Sequence, residues 1–140
     1  MKKYKSDDKK QEQSILEEPA VAYGTVNYFA LANNMITKDY IKSTLTTSKL
    51  SLAELMEIIP ISIDTYKRKT SFGSPVTEKI LEIEEVYKKG LSVFGAGFYL
   101  WMDADNVALD GLAPKKLLTN SFGVRKLLEQ IGRIEHGVLA

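Results

Sequence analysis

The chain offers few groups able to do covalent or redox chemistry. Its single histidine, His136, stands near the C-terminus, and there is no cysteine among the 140 residues. A Cys–His pair, a thiolate metal site and an HExxH zinc motif are therefore all out of reach. Asp103, Asp105 and Asn106 faintly suggest the start of a calcium loop. Counted from Asp103, however, that loop would place Ala108 where a glycine is needed and Pro114 where a bidentate glutamate is needed. Gly95-Ala96-Gly97 lacks the third glycine of a dinucleotide fingerprint and follows a helical pattern, so it reads as a hinge. No acid, base and nucleophile converge. The expectation is a protein that is not an enzyme and carries no cofactor or metal.

Two polar groupings remain. Ser62, Asp64 and Thr65 are short polar residues at the start of a predicted helix, and Lys67, Arg68 and Lys69 follow them after Tyr66. In a helix-turn-helix, such residues reach base edges and neutralise phosphates. The same spacing also describes two short packed helices with a solvated basic run. The second grouping is Arg133, Glu135 and His136, on the last turn and a half of the final predicted helix. A cation at a helix C-terminus is favoured by the helix dipole alone. Gly137 can end that helix, leaving a short tail that closes on Ala140.

The elements that position these groups read as helices throughout. A short helix starts around Val26, Phe29 and Ala30. Thr37 caps a second, with Tyr40, Ile41 and Leu45 as its apolar stripe. Ser51 and Glu54 form a capping box before Leu52, Leu55, Met56 and Ile59, and Pro60 stops that helix. Ser62 caps the next, which Phe72-Gly73 should end. Ser74-Pro75 opens the longest helix, with Ser74 as N-cap and Val76, Ile80, Ile83, Tyr87, Leu91 and Phe94 as its stripe; Gly90 weakens it and Gly95 ends it. Phe98 to Met102, Pro114 to Leu118 and Ser121 onward supply three more. The last carries Val124, Leu127, Leu128, Ile131 and Ile134 on one face. No run alternates long enough to be a strand. The predicted fold is all-α, with two helical modules meeting near residues 90–96.

Composition bounds the class. Hydrophobic residues make up 44%, charged residues 26%, and net charge is +1, so a nucleic-acid surface would have to be a local patch. Residues 1–18 carry five lysines against five acidic residues and little to bury, which predicts a flexible polar tail, taken as residues 1–22. The basic start has no apolar stretch behind it, so a signal peptide is not expected. No run approaches the roughly 18 apolar residues of a membrane span. Lack of cysteine fits a reducing cytoplasm.

The C-terminal half carries a more specific pattern. Gly90-Leu91-Ser92-Val93-Phe94-Gly95 precedes Phe98-Tyr99-Leu100-Trp101-Met102. Then come Asn106, Ala108-Leu109, Gly111, Pro114, Leu117-Leu118-Thr119 and Gly123, and Ile131-Gly132-Arg133-Ile134-Glu135-His136-Gly137-Val138 closes the series. This order and spacing resembles the toxin-binding domain of the Xre/MbcA/ParS antitoxins, over residues 75–140. Residues 35–74 resemble, more loosely, the Xre-like helix-turn-helix that precedes it, a region taken as residues 23–74. Two positions depart from the family pattern: Asp105 precedes Asn106 where a proline is usual, and Asp110-Gly111 replaces a glycine pair.

The resemblance implies a type II antitoxin whose partner is a RES-domain toxin that degrades NAD. Arg133, Glu135, His136, Gly137 and Ala140 would then meet the toxin. Ser62, Asp64, Thr65, Lys67, Arg68 and Lys69 would meet operator DNA as part of a homodimer that represses its own operon. The alternative is a stand-alone helix-turn-helix regulator whose C-terminal module dimerises or senses a ligand.

Overall fold

A computed structural model describes residues 14–19 and 27–137. Its backbone is mostly helical, as the periodicity predicts. In chain order the elements are β1 (Ile15–Leu16), α1 (Tyr28–Leu31), β2 (Met35–Thr37), α2 (Lys38–Ser48), α3 (Leu52–Met56), α4 (Ile63–Arg68), β3 (Ser71–Phe72), α5 (Ser74–Phe94), α6 (Phe98–Asp103) and α7 (Ser121–Glu135). Single-turn 3-10 segments at Gly95–Gly97 and Val107–Leu109, and a longer one at Pro114–Thr119, join the last helices.

The strands are an addition to the predicted fold. They form one small sheet in the order β1-β2-β3, with β1 parallel and β3 antiparallel to β2. Ile36 faces Leu16 on one side and Phe72 on the other and is fully buried. Strands of two or three residues are too short to show a period of two, so pattern reading passes over them. Of the predicted polar tail, residues 14–19 hold β1, whereas residues 1–13 and 20–22 lie outside the described residues.

Side-chain caps set most helix starts. Thr37 accepts from the Tyr40 N–H at 3.1 Å. Ser51 and Glu54 complete both halves of a capping box, and Ser62 accepts from the Thr65 N–H. Three boundaries differ from expectation. Helix α3 ends at Met56, so Ile58 and Ile59 are buried from a turn, not from a helical stripe. Helix α4 ends at Arg68, because Phe72 leaves it to pair with Ile36 and stack on Tyr66 at 5.7 Å. Gly73, not Ser74, occupies the N-cap of α5, with Pro75 in the first turn.

Helix α5 is the axis of the molecule. It buries Val76, Thr77, Ile80, Leu81, Ile83, Val86, Tyr87 and Gly90, with α2 and α7 packed along it. One core cluster runs from Ile36 to Ile131. Gly90 does not break the helix; its missing side chain makes a seat for the Phe98 ring. A Cβ built there would stand 2.1 Å from the ring. Around Phe98 gather Tyr87 (edge-on, 5.2 Å), Phe94 (5.4 Å) and Trp101 (5.6 Å), spacings typical of favourable aromatic pairs. Gly123 plays the same part lower down, where a Cβ would fall 2.1 Å from the Leu117 carbonyl oxygen.

Polar contacts tie distant parts of the chain together. The Tyr99 hydroxyl donates to the Thr47 carbonyl at 2.5 Å, and the Lys49 ammonium lies 4.1 Å above its ring. Lys115 bridges Glu54 at 2.5 Å and Asp103 at 2.7 Å, joining α3 to the end of α6. The Lys115 ammonium and the Ser51 N–H beside Glu54 hold its carboxyl below the usual range. The Tyr40 hydroxyl of α2 donates to Glu84 of α5.

These contacts give two expected outcomes. Alanine at Gly90 or Gly123 should destabilise the fold by about 2 kcal/mol, because overpacking outweighs the roughly 1 kcal/mol gain in helix propensity. At Gly132 the nearest atom to an added Cβ is the Lys89 ammonium, the far end of a long side chain, at 3.4 Å, so Gly132→Ala should stabilise by a few tenths to about 1 kcal/mol. Thermal melts of the three variants by circular dichroism check the contrast. Lys115→Met should flatten the acid limb of the stability curve. A lowered Glu54 pKa contributes stability above the ordinary carboxylate range, and that stability is lost as pH falls through the folded value. Melting temperatures of wild type and variant between pH 7 and pH 3 should therefore converge toward the acid end.

Candidate functional site

The C-terminal helix presents one face to the core and one to solvent. Asn120 caps it by accepting from the Gly123 N–H at 2.9 Å. Val124, Leu127 and Ile131 are buried, as the apolar stripe predicts, with Gln130 buried beside them, while Leu128 is half-buried and Ile134 is at the exposed edge. Arg133, Glu135, His136 and Gly137 are all exposed. Arg133 and His136 are three residues apart and share a face; Glu135 points elsewhere. The backbone closes the helix by donating from His136 to Gly132 and from Gly137 to Ile134. Gly137 has φ +74, so the chain turns out of the helical path where only glycine does so without strain. Among the described residues, none forms an ion pair or side-chain hydrogen bond with Arg133, Glu135 or His136. Ala140 lies outside the described residues. The arrangement is a helix end with charged groups unengaged and its exit directed by a glycine.

The connector between α6 and Pro114 closes into a compact loop. Asn106 donates its N–H to the Leu112 carbonyl and accepts from the Leu109 and Gly111 N–H groups through its own carbonyl. Its side chain accepts from the Ala108 N–H at 2.9 Å. Asp110 and Gly111 have φ +60 and +81; aspartate is one of the few side chains that tolerates this region, which accounts for its place beside the glycine. Asp103 pairs with Lys115, and among the described residues no cluster of acidic or histidine side chains could hold a metal.

The helix pair α3 and α4 spans five and six residues and is separated by a turn containing the exposed Pro60. The Ser62 hydroxyl is committed to capping: it accepts from the Thr65 N–H and donates to the Thr65 hydroxyl at 3.1 Å. Asp64 is exposed in the first turn, and Tyr66 is the buried anchor of α4. Lys67, Arg68 and Lys69 are exposed at the other end of α4. Lys38 joins them, its ammonium 3.0 Å from the Lys67 carbonyl and 5.0 Å over the Tyr66 ring. Sequence reading missed Lys38, because its neighbours come from 29 residues away. The result is a local basic patch on a protein of near-neutral net charge.

Sequence reading also missed three exposed apolar side chains in the C-terminal part: Leu100, Val107 and Phe122. None belongs to an apolar stripe, and isolated apolar residues in a sequence carry no sign of exposure.

No helix among the described residues is long and apolar enough to cross a membrane. No curated protein matches the chain. Residues 92–137, from the last turn of α5 through the glycine that ends α7, match the family described as the antitoxin Xre/MbcA/ParS C-terminal toxin-binding domain.

Proposed function

We propose that this protein is the antitoxin of a type II toxin–antitoxin pair, and that it neutralises a RES-domain, NAD-degrading toxin by covering its active site. The match of residues 92–137 to a toxin-binding domain carries the reading. The fold supports it: that stretch ends on an exposed helix terminus whose Arg133, Glu135 and His136 form no ion pair or side-chain hydrogen bond among the described residues. A pocket that holds the pyrophosphate of NAD offers cationic and N–H donor groups. Glu135 has the charge to satisfy them, Arg133 and His136 can pair at the rim, and Gly137 turns the chain toward the cleft, where Ala140 would meet the toxin. On this reading the protein acts by binding, not by catalysis, and works in the cytoplasm.

Removing Val138 to Ala140 should abolish neutralisation of the co-expressed toxin, read as cellular NAD, while leaving the thermal melt unchanged. Full protection by the truncated chain would show that inhibition does not need the tail. The antitoxin reading itself is tested by co-expression with the neighbouring gene product. NAD depletion by that product alone, with rescue and co-elution when this chain is present, supports it. Unchanged NAD and no co-elution would favour the stand-alone regulator.

We further propose that the patch around α4 contacts operator DNA in a homodimer that represses its own operon. Ser62, Asp64 and Thr65 would lie near base edges and Lys67, Arg68 and Lys69 against phosphates. Replacing the three basic residues with alanine should weaken operator binding tenfold or more at moderate salt. The slope of log affinity against log salt should fall by about two to three. Toxin neutralisation should be unaffected. Unchanged affinity would assign the basic run to solvation alone.

A further inference from the structure

Four large apolar side chains among the described residues are more than three-quarters exposed: Phe29 at 87%, Leu100 at 77%, Val107 at 94% and Phe122 at 76%. Three of them fall within residues 92–137. Exposed side chains of this size add little to the fold, and these three lie in the segment that matches a toxin-binding domain.

Val107 stands on a closed loop, and Phe122 stands in the first turn of α7. The loop carrying Val107 is closed by the Asn106–Leu112 and Asn106–Gly111 hydrogen bonds and anchored from below by Leu109, which is 1% exposed. Its Asp110 carboxylate pairs with Lys126 of α7 at 3.1 Å. Lys126 lies one helical turn beyond Phe122 on the same face. The ion pair thus sets the loop against the end of α7 that displays Phe122. The Arg125 guanidinium stands 5.1 Å over the Phe122 ring. From Phe122 the exposed face of α7 continues through Lys126 and Glu129 to Arg133, about 16 Å further along the helix.

We propose that the toxin docks on this strip with Val107 and Phe122 as its apolar anchors. The complementary surface is an apolar socket with a carboxylate at its rim to meet Arg125. The proposal rests on the antitoxin reading and deepens it: affinity comes from the Phe122 end, and the Arg133–Gly137 end delivers inhibition. Continuity of the face along α7 and its location in the toxin-binding segment favour the toxin as occupant over a second copy of this chain. Buried aromatic anchors beside an arginine are where interface energy concentrates. A rigid support limits the ordering cost of docking.

The test measures binding of the purified full chain to the neighbouring toxin by calorimetry, with Val107→Asp, Phe122→Asp, Arg125→Glu and the control Phe29→Asp. Melts of each variant should match wild type, since all four side chains are exposed. Val107→Asp and Phe122→Asp should each weaken binding at least tenfold. Arg125→Glu should weaken it in a way that shrinks as salt rises. Phe29→Asp should leave it unchanged. If wild type binds toxin and the Val107 and Phe122 variants bind equally well, the docking face is wrong while the antitoxin reading stands. If those variants keep toxin binding but convert a dimer to monomer by light scattering, the face belongs to a second copy and the proposal is overturned. If wild type itself binds no toxin, the antitoxin reading falls and takes this assignment with it.

Discussion

The structure turns on the contact between the Phe98 ring and the bare backbone at Gly90. Helix α5 is the longest element, and α2 and α7 pack along it. For the chain to continue after Gly95 and fold back, α6 must lie against the last turns of α5. A side chain at position 90 would hold it off. With glycine there, the Phe98 ring sits within 2.1 Å of where a Cβ would be. Tyr87, Phe94 and Trp101 close around that ring. The placement of α6 in turn governs the packing of the C-terminal segments. Asp103 meets Lys115, Lys115 meets Glu54, and the Pro114–Thr119 turn comes close enough to α7 that Gly123 must also lack a side chain. Two glycines in helices, each costing propensity, are offset by the close approach they permit.

The same chain of contacts decides what is left exposed. A helix with one buried stripe must show the other face to solvent, and α7 buries Val124, Leu127 and Ile131. Its outer face therefore runs from Phe122 to Arg133 with the Lys126–Asp110 pair as its tertiary contact. The glycine at the end of α7 frees the exit of the chain, whereas the glycines inside the core tighten packing. One residue type thus serves closeness at Gly90 and Gly123 and chain direction at Gly137, and only the surroundings tell the roles apart.

Much of this was legible in the residues. Thr37, Ser51 with Glu54, and Ser62 announce helix starts because a short polar side chain before an apolar stripe has one ready use, the satisfaction of free N–H groups. The stripe on α5 and the stripe on α7 are long enough for period 3.6 to stand clear. The sheet was not legible, since Ile15-Leu16 and Ser71-Phe72 pair through contacts some 20 and 35 residues distant and have no local pattern of their own. The end of α4 was misplaced for the same reason: Phe72 looks like the end of a helical stripe until its sheet partner Ile36 is known. At the candidate site, Arg133, Glu135, His136 and Gly137 fall where the sequence puts them, on an exposed helix end. Val107 and Phe122 were invisible, because exposure is a property of the packed whole.

The basic patch around α4 illustrates the difference between composition and placement. Net charge predicts no field, and Lys67, Arg68 and Lys69 alone look like an ordinary solvated run. Folding brings Lys38 onto Tyr66 and against the Lys67 carbonyl, so four cations collect at one helix end. That end is the negative pole of the α4 backbone, which favours the cluster even without a ligand. Ser62 and Thr65, at the opposite pole, commit their hydroxyls to each other and to the cap. For these two residues to read bases, DNA would have to draw on the lone pairs and rotations left over from capping. Phosphate contacts from the exposed Lys67, Arg68 and Lys69 need no such reorganisation. The geometry therefore weights any nucleic-acid contact here toward the backbone, a bias that strengthens affinity more than sequence discrimination.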